Sequence, residues 1–269
     1  MKLGFLQVRS KFGDVKHNVR KAVSLLSKVS DATIVLPELF NTGYLFKNKQ
    51  EVAELAEKVP SGYTTTELKK IAKKKNLNLI YGIAQKSGSK FYNSAVYLSS
   101  KGSTQVYSKI HLFDREKLFF TPGKSFKVVS TGEAKVGIMI CFDWSMPEMS
   151  RVLTLSGAQI LAHPSNLVLP WGQSAMKIRS IENGVFSVTA NRVGQEKRGT
   201  MSLSFTGGSQ IVSPKGEVLV SAGDRSDTLK VIDIDISEAD DKNLTSSNNI
   251  LEDRFPHLYR TLALKRLPK

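Results

Sequence analysis

Short apolar runs alternate with amphipathic helical stretches from the first residues onward, and a chain patterned this way folds into strands covered by helices. Residues 3–8 form an apolar strand. Asp14 is placed to cap a helix in which Val15, Val19, Ala22, Val23, Leu26 and Val29 recur at three- and four-residue steps. Thr33-Ile34-Val35-Leu36 is a buried strand that stops at Pro37-Glu38, and a loop over 39–48, with Asn41, Gly43 and Asn48, leaves from that carboxylate. A second helix follows over about 49–58. Thr64-x-x-Glu67 reads as a capping box for a third helix, with Leu68, Ile71 and Ala72 turned inward, and its exit leads to a strand at 78–84.

Farther along, 93–109 reads as strand, turn and strand about Ser100-Lys101-Gly102, and Ser213-Pro214-Lys215-Gly216 makes a second hairpin turn. Further strands are expected at 126–130, 135–140, 158–162, 185–190, 208–213, 217–220 and 228–236, with helices at about 145–156 and 172–183. No Pro/Gly-rich linker, repeat or low-complexity tract interrupts the pattern, so residues 1–269 are expected to form one layered α/β domain.

Lys and Arg number 39 against 24 Asp and Glu, a formal charge of +15. These residues are spread along the chain, and the densest run, Lys69-Lys70 with Lys73-Lys74-Lys75, has the spacing of a wet helix face. No specific nucleic-acid partner is therefore expected, with a loosely held acidic ligand or RNA as the alternative. The single cysteine excludes an internal disulfide and fits a reducing, cytoplasmic setting. Neither a signal peptide nor an apolar run of about 18 residues is present, so no membrane association is expected.

That cysteine, Cys141, closes the apolar run Lys135-Val136-Gly137-Ile138-Met139-Ile140. Ser145-x-x-Glu148, with Pro147 between, signals a helix starting four residues later. The thiol thus sits on a strand-to-helix elbow, where backbone N–H groups favour negative charge; the alternative is a small buried apolar residue. Glu38 closes the strand at 33–36 and Lys109 the strand at 104–108, so all three are expected outside the carboxyl ends of neighbouring strands. Together they make a working set, with Glu38 as base, Cys141 as nucleophile and Lys109 stabilising negative charge. Taken singly, Glu38 is equally a cap or loop anion and Lys109 a rim charge.

Competing chemistries have less support. His17, His111, His163 and His257 show no metal-ligand spacing and no second cysteine exists, so neither a metal nor another cofactor is expected. Gly123-Lys124-Ser125 fails as a phosphate loop because Leu118 stands where the leading glycine belongs, and no Gly-x-Ser-x-Gly elbow occurs.

Four motifs in order, Leu36-Pro37-Glu38, Tyr107-Ser108-Lys109-Ile110-His111-Leu112-Phe113, Phe120-Thr121-Pro122-Gly123 and Ile140-Cys141-Phe142-Asp143-Trp144 with Pro147-Glu148, resemble the nitrilase superfamily of carbon–nitrogen hydrolases. The likeness continues through His163-Pro164-Ser165-Asn166-Leu167, Arg179-x-x-Glu182-Asn183 and Asn191-Arg192, and so covers the whole chain. Arg115-Glu116 is shared with a small archaeal branch of that superfamily. The resemblance implies a four-layer αββα sandwich with mixed sheets and a triad falling on Glu38, Lys109 and Cys141. It also implies that Glu116 helps to position the lysine and the substrate, although by itself this residue reads as a loop carboxylate paired with Arg115.

By the same resemblance Cys141 adds to an amide or nitrile carbon, while Lys109 and the Phe142 N–H form an oxyanion hole. Glu38 passes a proton to departing ammonia and then activates the water that hydrolyses the thioester. Phe142-Asp143 resembles the amidase, carbamoylase and archaeal aliphatic-nitrile branches. A small aliphatic amide or N-carbamoyl substrate is therefore expected, then a nitrile, with a non-catalytic basic binding protein as the alternative from another class. Tyr44, His111, Phe142, Trp144, Asn166 and Trp171 are the expected pocket residues, or else packing residues of a core or interface. Look-alikes pair through the helix after the cysteine and the C-terminal tail, here 145–156 and 250–269, which implies a homodimer or higher oligomer.

Overall fold

The computed structural model describes residues 1–264, in which two six-stranded sheets lie face to face. The first sheet begins with β1 (Lys2–Gln7), β2 (Ala32–Val35), β3 (Leu77–Ser87), β4 (Lys90–Leu98) and β5 (Thr104–Ser108). The second contains β6 (Val128–Ser130), β7 (Lys135–Ile138), β8 (Ile160–Pro164) and β9 (Phe186–Ala190). The chain then makes a separate hairpin, β10 (Val193–Arg198) and β11 (Met201–Thr206), and returns to the second sheet as β12 (Gln210–Val212) and β13 (Val218–Ser221). Finally β14 (Thr228–Asp233) crosses back to pair antiparallel with β1, giving the orders β14-β1-β2-β3-β4-β5 and β13-β12-β9-β8-β7-β6.

The two-residue period of the strands sets what each face meets. In the first sheet Leu3, Phe5, Val35, Ile80, Ala95, Tyr97 and Tyr107 point into a core shared with the second sheet. Their neighbours Leu6, Ile34, Leu79, Tyr81, Val96 and Leu98 face the other way, against Val19, Ala22 and Leu26 of one helix and Leu68, Ile71 and Ala72 of another. In chain order the helices are α1 (Val15–Leu26), α2 (Lys49–Leu55), α3 (Tyr63–Lys75), α4 (Glu116–Phe119), α5 (Pro147–Leu155) and α6 (Gly172–Asn183). Met149 and Leu153 of α5 and Met176 of α6 close the outer face of the second sheet. In β8, Ile160, Leu161 and Ala162 are buried in succession, as befits a parallel strand covered on both sides. The layers are therefore α1/α3, sheet, sheet and α5/α6, the four-layer αββα sandwich that the resemblance implied.

Local starts and stops differ from the sequence reading where tertiary partners intervene. Thr64 does not cap α3, which begins at Tyr63; the Glu57 carboxylate instead takes the Thr64 N–H at 2.7 Å and its hydroxyl. Ser145 does not cap α5 either, because its hydroxyl donates to the Phe142 carbonyl at 2.9 Å and Pro147 opens the helix. The strand expected to run through 140 stops at Ile138. Among the described residues no helix is long and apolar enough to cross a membrane.

Candidate active site

Strand direction decides which side chains can meet. β1, β2 and β3 are parallel, and two antiparallel steps turn β5 back to the direction of β3, so the carboxyl ends of β2 and β5 share one edge of the sheet. Glu38 leaves β2 at that edge and Lys109 leaves β5. Two residues past inward-facing Tyr107, Lys109 points between the sheets, and Asn93 does so in phase with Ala95 and Tyr97. A glycine makes the Glu38 turn possible. A Cβ on Gly82 would meet the Glu38 Cα, with the Leu39 nitrogen at 2.7 Å and the Pro37 oxygen at 2.8 Å. The two strands thus touch backbone to backbone beneath the carboxylate. Cys141 comes from the end of β7 in the facing sheet. The expected arrangement on neighbouring strands is corrected accordingly: the periodicity that marks a buried face is the same in both sheets, so it does not tell which sheet a strand joins.

The lysine sits between two carboxylates. Lys109 Nζ lies 2.7 Å from Glu38 Oε1 and 2.8 Å from Glu116 Oε1, with Lys109 and Glu38 fully buried. Glu38 Oε1 also accepts from Asn93 Nδ2 at 2.7 Å, and Glu116 Oε1 from the Tyr44 hydroxyl at 2.7 Å. Asn166 Nδ2 donates to the Glu38 backbone carbonyl at 2.8 Å. Two of the three ammonium protons thus have partners among the described residues, which leaves one more to donate. Among the described residues Glu38 Oε2 is buried without a hydrogen-bond partner.

Cys141 opens a 3₁₀ turn over Cys141–Ser145 with φ +40°, a left-handed conformation that costs a non-glycine residue about 1–3 kcal/mol and persists only under external constraint. The constraints are visible. Asp143 Oδ2 accepts from the Ile140 N–H and the Tyr107 hydroxyl, each at 2.8 Å, and Asp143 Oδ1 lies 2.7 Å from His111 Nδ1. On the other side His163 Nε2 lies 2.9 Å from the Cys141 carbonyl, and its Nδ1 lies 3.1 Å from the Thr189 hydroxyl. A carbonyl can only accept, so Nε2 carries the proton. Burial pushes the His163 pKa down to about 4, which keeps the ring neutral in that tautomer.

The electrostatics follow from burial and from the excess of carboxylates. Burial raises the Glu38 pKa and Glu116 adds to the rise, against the opposing pull of Lys109. For Lys109, burial favours loss of the proton, but Glu116 and Glu38 outweigh it and hold the ammonium charged. Burial and then the Glu38 charge push the Cys141 thiol well above its usual range, with Lys109 opposing. Burial thus favours a neutral Cys141 thiol beside the Glu38 carboxyl group, with the Lys109 ammonium held charged between the two glutamates.

Comparison with known proteins decides the family. The carbon–nitrogen hydrolase family model matches residues 2–242. The chain is a nitrilase-superfamily carbon–nitrogen hydrolase. This hydrolase is 43% identical to a nitrilase of Pyrococcus abyssi over 96% of its own length and 99% of the relative's. It is 31% identical to an (R)-stereoselective amidase of Pseudomonas sp. over 88% and 86% of the two chains. The crystal structure of a carbon–nitrogen hydrolase from Helicobacter pylori superposes with a TM-score of 0.90, at 26% identity and over 99% of each chain. Membership in an enzyme family sets aside the non-catalytic binding reading.

A small chamber in the hydrolase opens beside Cys141, lined by Phe113, Phe142, Trp144, Asn166, Leu167 and neighbours. Tyr44, Phe113 and Glu116 border a second small chamber with Phe46, Phe119 and Phe120. Of the expected pocket residues, the structure therefore gathers Phe142, Trp144 and Asn166 around the thiol and Tyr44 on the Glu116 side. His111 is instead tied to Asp143. Trp171 does not line either chamber: it is 60% exposed at the start of α6. Sequence reasoning missed Asn93, Asp143 and His163 as site residues. Asn93 was detectable as a polar residue in phase with Ala95 and Tyr97; the other two stood inside quoted motifs without an assigned partner.

Proposed function

We propose that this hydrolase releases ammonia from small uncharged amides or N-carbamoyl compounds through a thioester on Cys141. The observation that carries the reading is Lys109 held between Glu38 and Glu116, with Glu38 Oε2 unpartnered beside a neutral thiol. Glu38 takes the thiol proton as sulfur bonds to the carbonyl carbon, and the oxyanion forms against the third Lys109 proton and the Phe142 N–H. Collapse breaks the C–N bond while Glu38 returns the proton to nitrogen, so ammonia leaves. Water, deprotonated by Glu38, then cleaves the thioester and restores the thiol. Glu116 supports the lysine.

The chamber beside Cys141 favours an uncharged acyl group, since Phe113, Phe142, Trp144 and Leu167 would face it and, among the described residues, no charged side chain lines the space. Nitrile hydrolysis is the second reading, favoured by the 43% identity to a nitrilase. A thiol that must stay reduced fits the cytoplasm. Ammonia release from a panel of short amides, N-carbamoyl compounds and nitriles tests the assignment, with Cys141→Ala as the control. Release that survives the substitution would discard Cys141 as nucleophile, and nitriles outranking amides would reverse the two readings.

We also propose a homodimer through α5 and the tail. Leu155, Leu258, Leu262 and Leu264 are exposed there, and Arg151, Val152, Tyr259 and Leu262 line an open groove. The expected tail continues through 265–269, outside the described residues. Light scattering at micromolar concentration should show twice 29.7 kDa; a monomer would refute the pairing.

A further inference from the structure

The proposed reaction leaves one buried ion pair without a task. Arg192 and Glu196 are both buried and paired with each other. Arg192 lies over the Phe205 ring, 4.3 Å from its centroid, and donates to the Ser10 carbonyl at 2.7 Å. Burying two charges is costly unless the geometry returns the cost, so the pair calls for an explanation. The Glu196 carboxylate points at the loop that carries Tyr44. It accepts from the Tyr44 N–H at 3.1 Å and from the Leu45 N–H. Gly43, at φ +84°, crosses close over it: a Cβ there would stand 2.9 Å from Glu196 Oε2.

Tyr44 is thus fixed at both ends. Glu196 holds its backbone, and Phe205 meets its ring edge to face, with centroids 6.3 Å apart. The hydroxyl that results from this placement donates to Glu116 Oε1, the same oxygen that holds Lys109 Nζ at 2.8 Å. The Phe113 N–H fixes the other Glu116 oxygen at 3.2 Å. A carboxylate held at both oxygens can hold the ammonium in one orientation, and only then does the third Lys109 proton have a fixed direction.

We propose that Glu196, neutralised by Arg192, is a positioning residue of this enzyme: it anchors Tyr44, and through the Tyr44 hydroxyl it aims Glu116 and Lys109. The inference rests on the proposed reaction for its kinetic readout. It brings the β10–β11 hairpin into the catalytic apparatus.

The test is a double-mutant cycle of Glu196→Gln and Tyr44→Phe on the full chain. Because Cys141 is the only thiol, iodoacetamide stoichiometry counts native sites, and rates are expressed per titrated site. Each single variant should lower kcat by about tenfold, the scale of one hydrogen bond to a charged group, with KM nearly unchanged. The double variant should be no slower than Tyr44→Phe alone. A purely structural role would lower the titrated fraction and leave kcat per site intact, which overturns the proposal, as does a double variant slowed by about a hundredfold, the product of independent effects. If Glu196→Gln does not fold, Arg192→Lys enters the same cycle. Failure of the reaction assignment looks different: the natural protein then turns over no member of the panel. The rate of Cys141 alkylation becomes the readout, and the same non-additivity is required of it.

Discussion

An alanine at position 82 would test how the Glu38 carboxylate is aimed. Its Cβ would stand 2.7 Å from the Leu39 nitrogen and 2.8 Å from the Pro37 oxygen, with the Glu38 Cα also in contact. All three are backbone atoms, so no rotamer change relieves the clash. Ordinary packing distances are about 3.5–4.0 Å, so the Pro37–Leu39 turn must retreat by about 1 Å. The Gly82 N–H to Pro37 carbonyl bond, 3.1 Å long, lies at the same point and would stretch. Overpacking of this kind costs about 1–3 kcal/mol of stability, whereas a 1 Å misplacement of a reacting group costs about 10²-fold in rate. Gly82→Ala should therefore remain folded at 25 °C and lose about 10²-fold in kcat/KM for ammonia release. Gly88→Ala is the matched control. Gly88 has φ +58° and nothing within 4 Å of an added Cβ, so that variant bears a conformational cost of about 1–2 kcal/mol without moving Glu38. The reasoning is refuted if Gly82→Ala keeps kcat/KM within about threefold of the natural protein, or if Gly88→Ala loses as much.

Lys109→Gln would leave Glu38 and Glu116 buried without their cation, a loss of about 3–5 kcal/mol in urea unfolding. Burial already raises the Glu38 pKa above 4.5, and removing the lysine raises it further; a raised carboxyl contributes stability that is present below its unfolded pKa and lost as pH rises. The deficit against the natural protein should therefore widen from pH 5 to pH 8, and an equal deficit at both values would contradict the assignment. His163 shifts the opposite way, from 6.5 to about 4, so its contribution is complete above pH 6.5 and lost as pH falls toward 4, about 3 kcal/mol in all. His163→Gln keeps an N–H for the Cys141 carbonyl and removes the titration, so its unfolding free energy should show a shallower acid slope; an unchanged slope would show that the acid sensitivity lies elsewhere. Trp171→Ala should leave KM within about twofold, since the ring stands outside both chambers; a tenfold rise would return it to the pocket.

Much of the architecture was readable because burial repeats with the period of the backbone. Asp14, for example, caps α1 as expected, accepting the His17 N–H at 3.2 Å, and α6 spans the expected residues. What periodicity does not carry is the identity of the partner. Thr64 has the spacing of a capping box, yet Glu57, seven residues earlier, takes its N–H and hydroxyl. Cys141 reads as the end of a strand because Met139 and Ile140 are apolar, yet its φ of +40° is imposed by Asp143 from within the turn and by His163 from the next strand.

The residues expected to do chemistry and those that hold them differ in how far the sequence exposes them. Lys109 and Asn93 occupy core-phase positions of their strands, where a charge or an amide is unfavourable unless partnered, so polarity in phase with burial is itself the signal. β10 gives the reverse case. Gly194, Glu196 and Arg198 alternate on one side of it, and no apolar residue on that side announces a buried face. No strand is therefore among those expected at 193–206, although Met201, Leu203 and Phe205 alternate on the partner strand. Glu196 is buried by what closes over it, the Gly43–Leu45 backbone and the Arg192 guanidinium, rather than by apolar neighbours in sequence. Stability derived from apolar periodicity would leave such a residue out, and its conservative replacement would be expected to be harmless. The hydrogen-bond route from Glu196 through Tyr44 to Glu116 and Lys109 gives the opposite expectation, and that difference is what the mutant cycle measures.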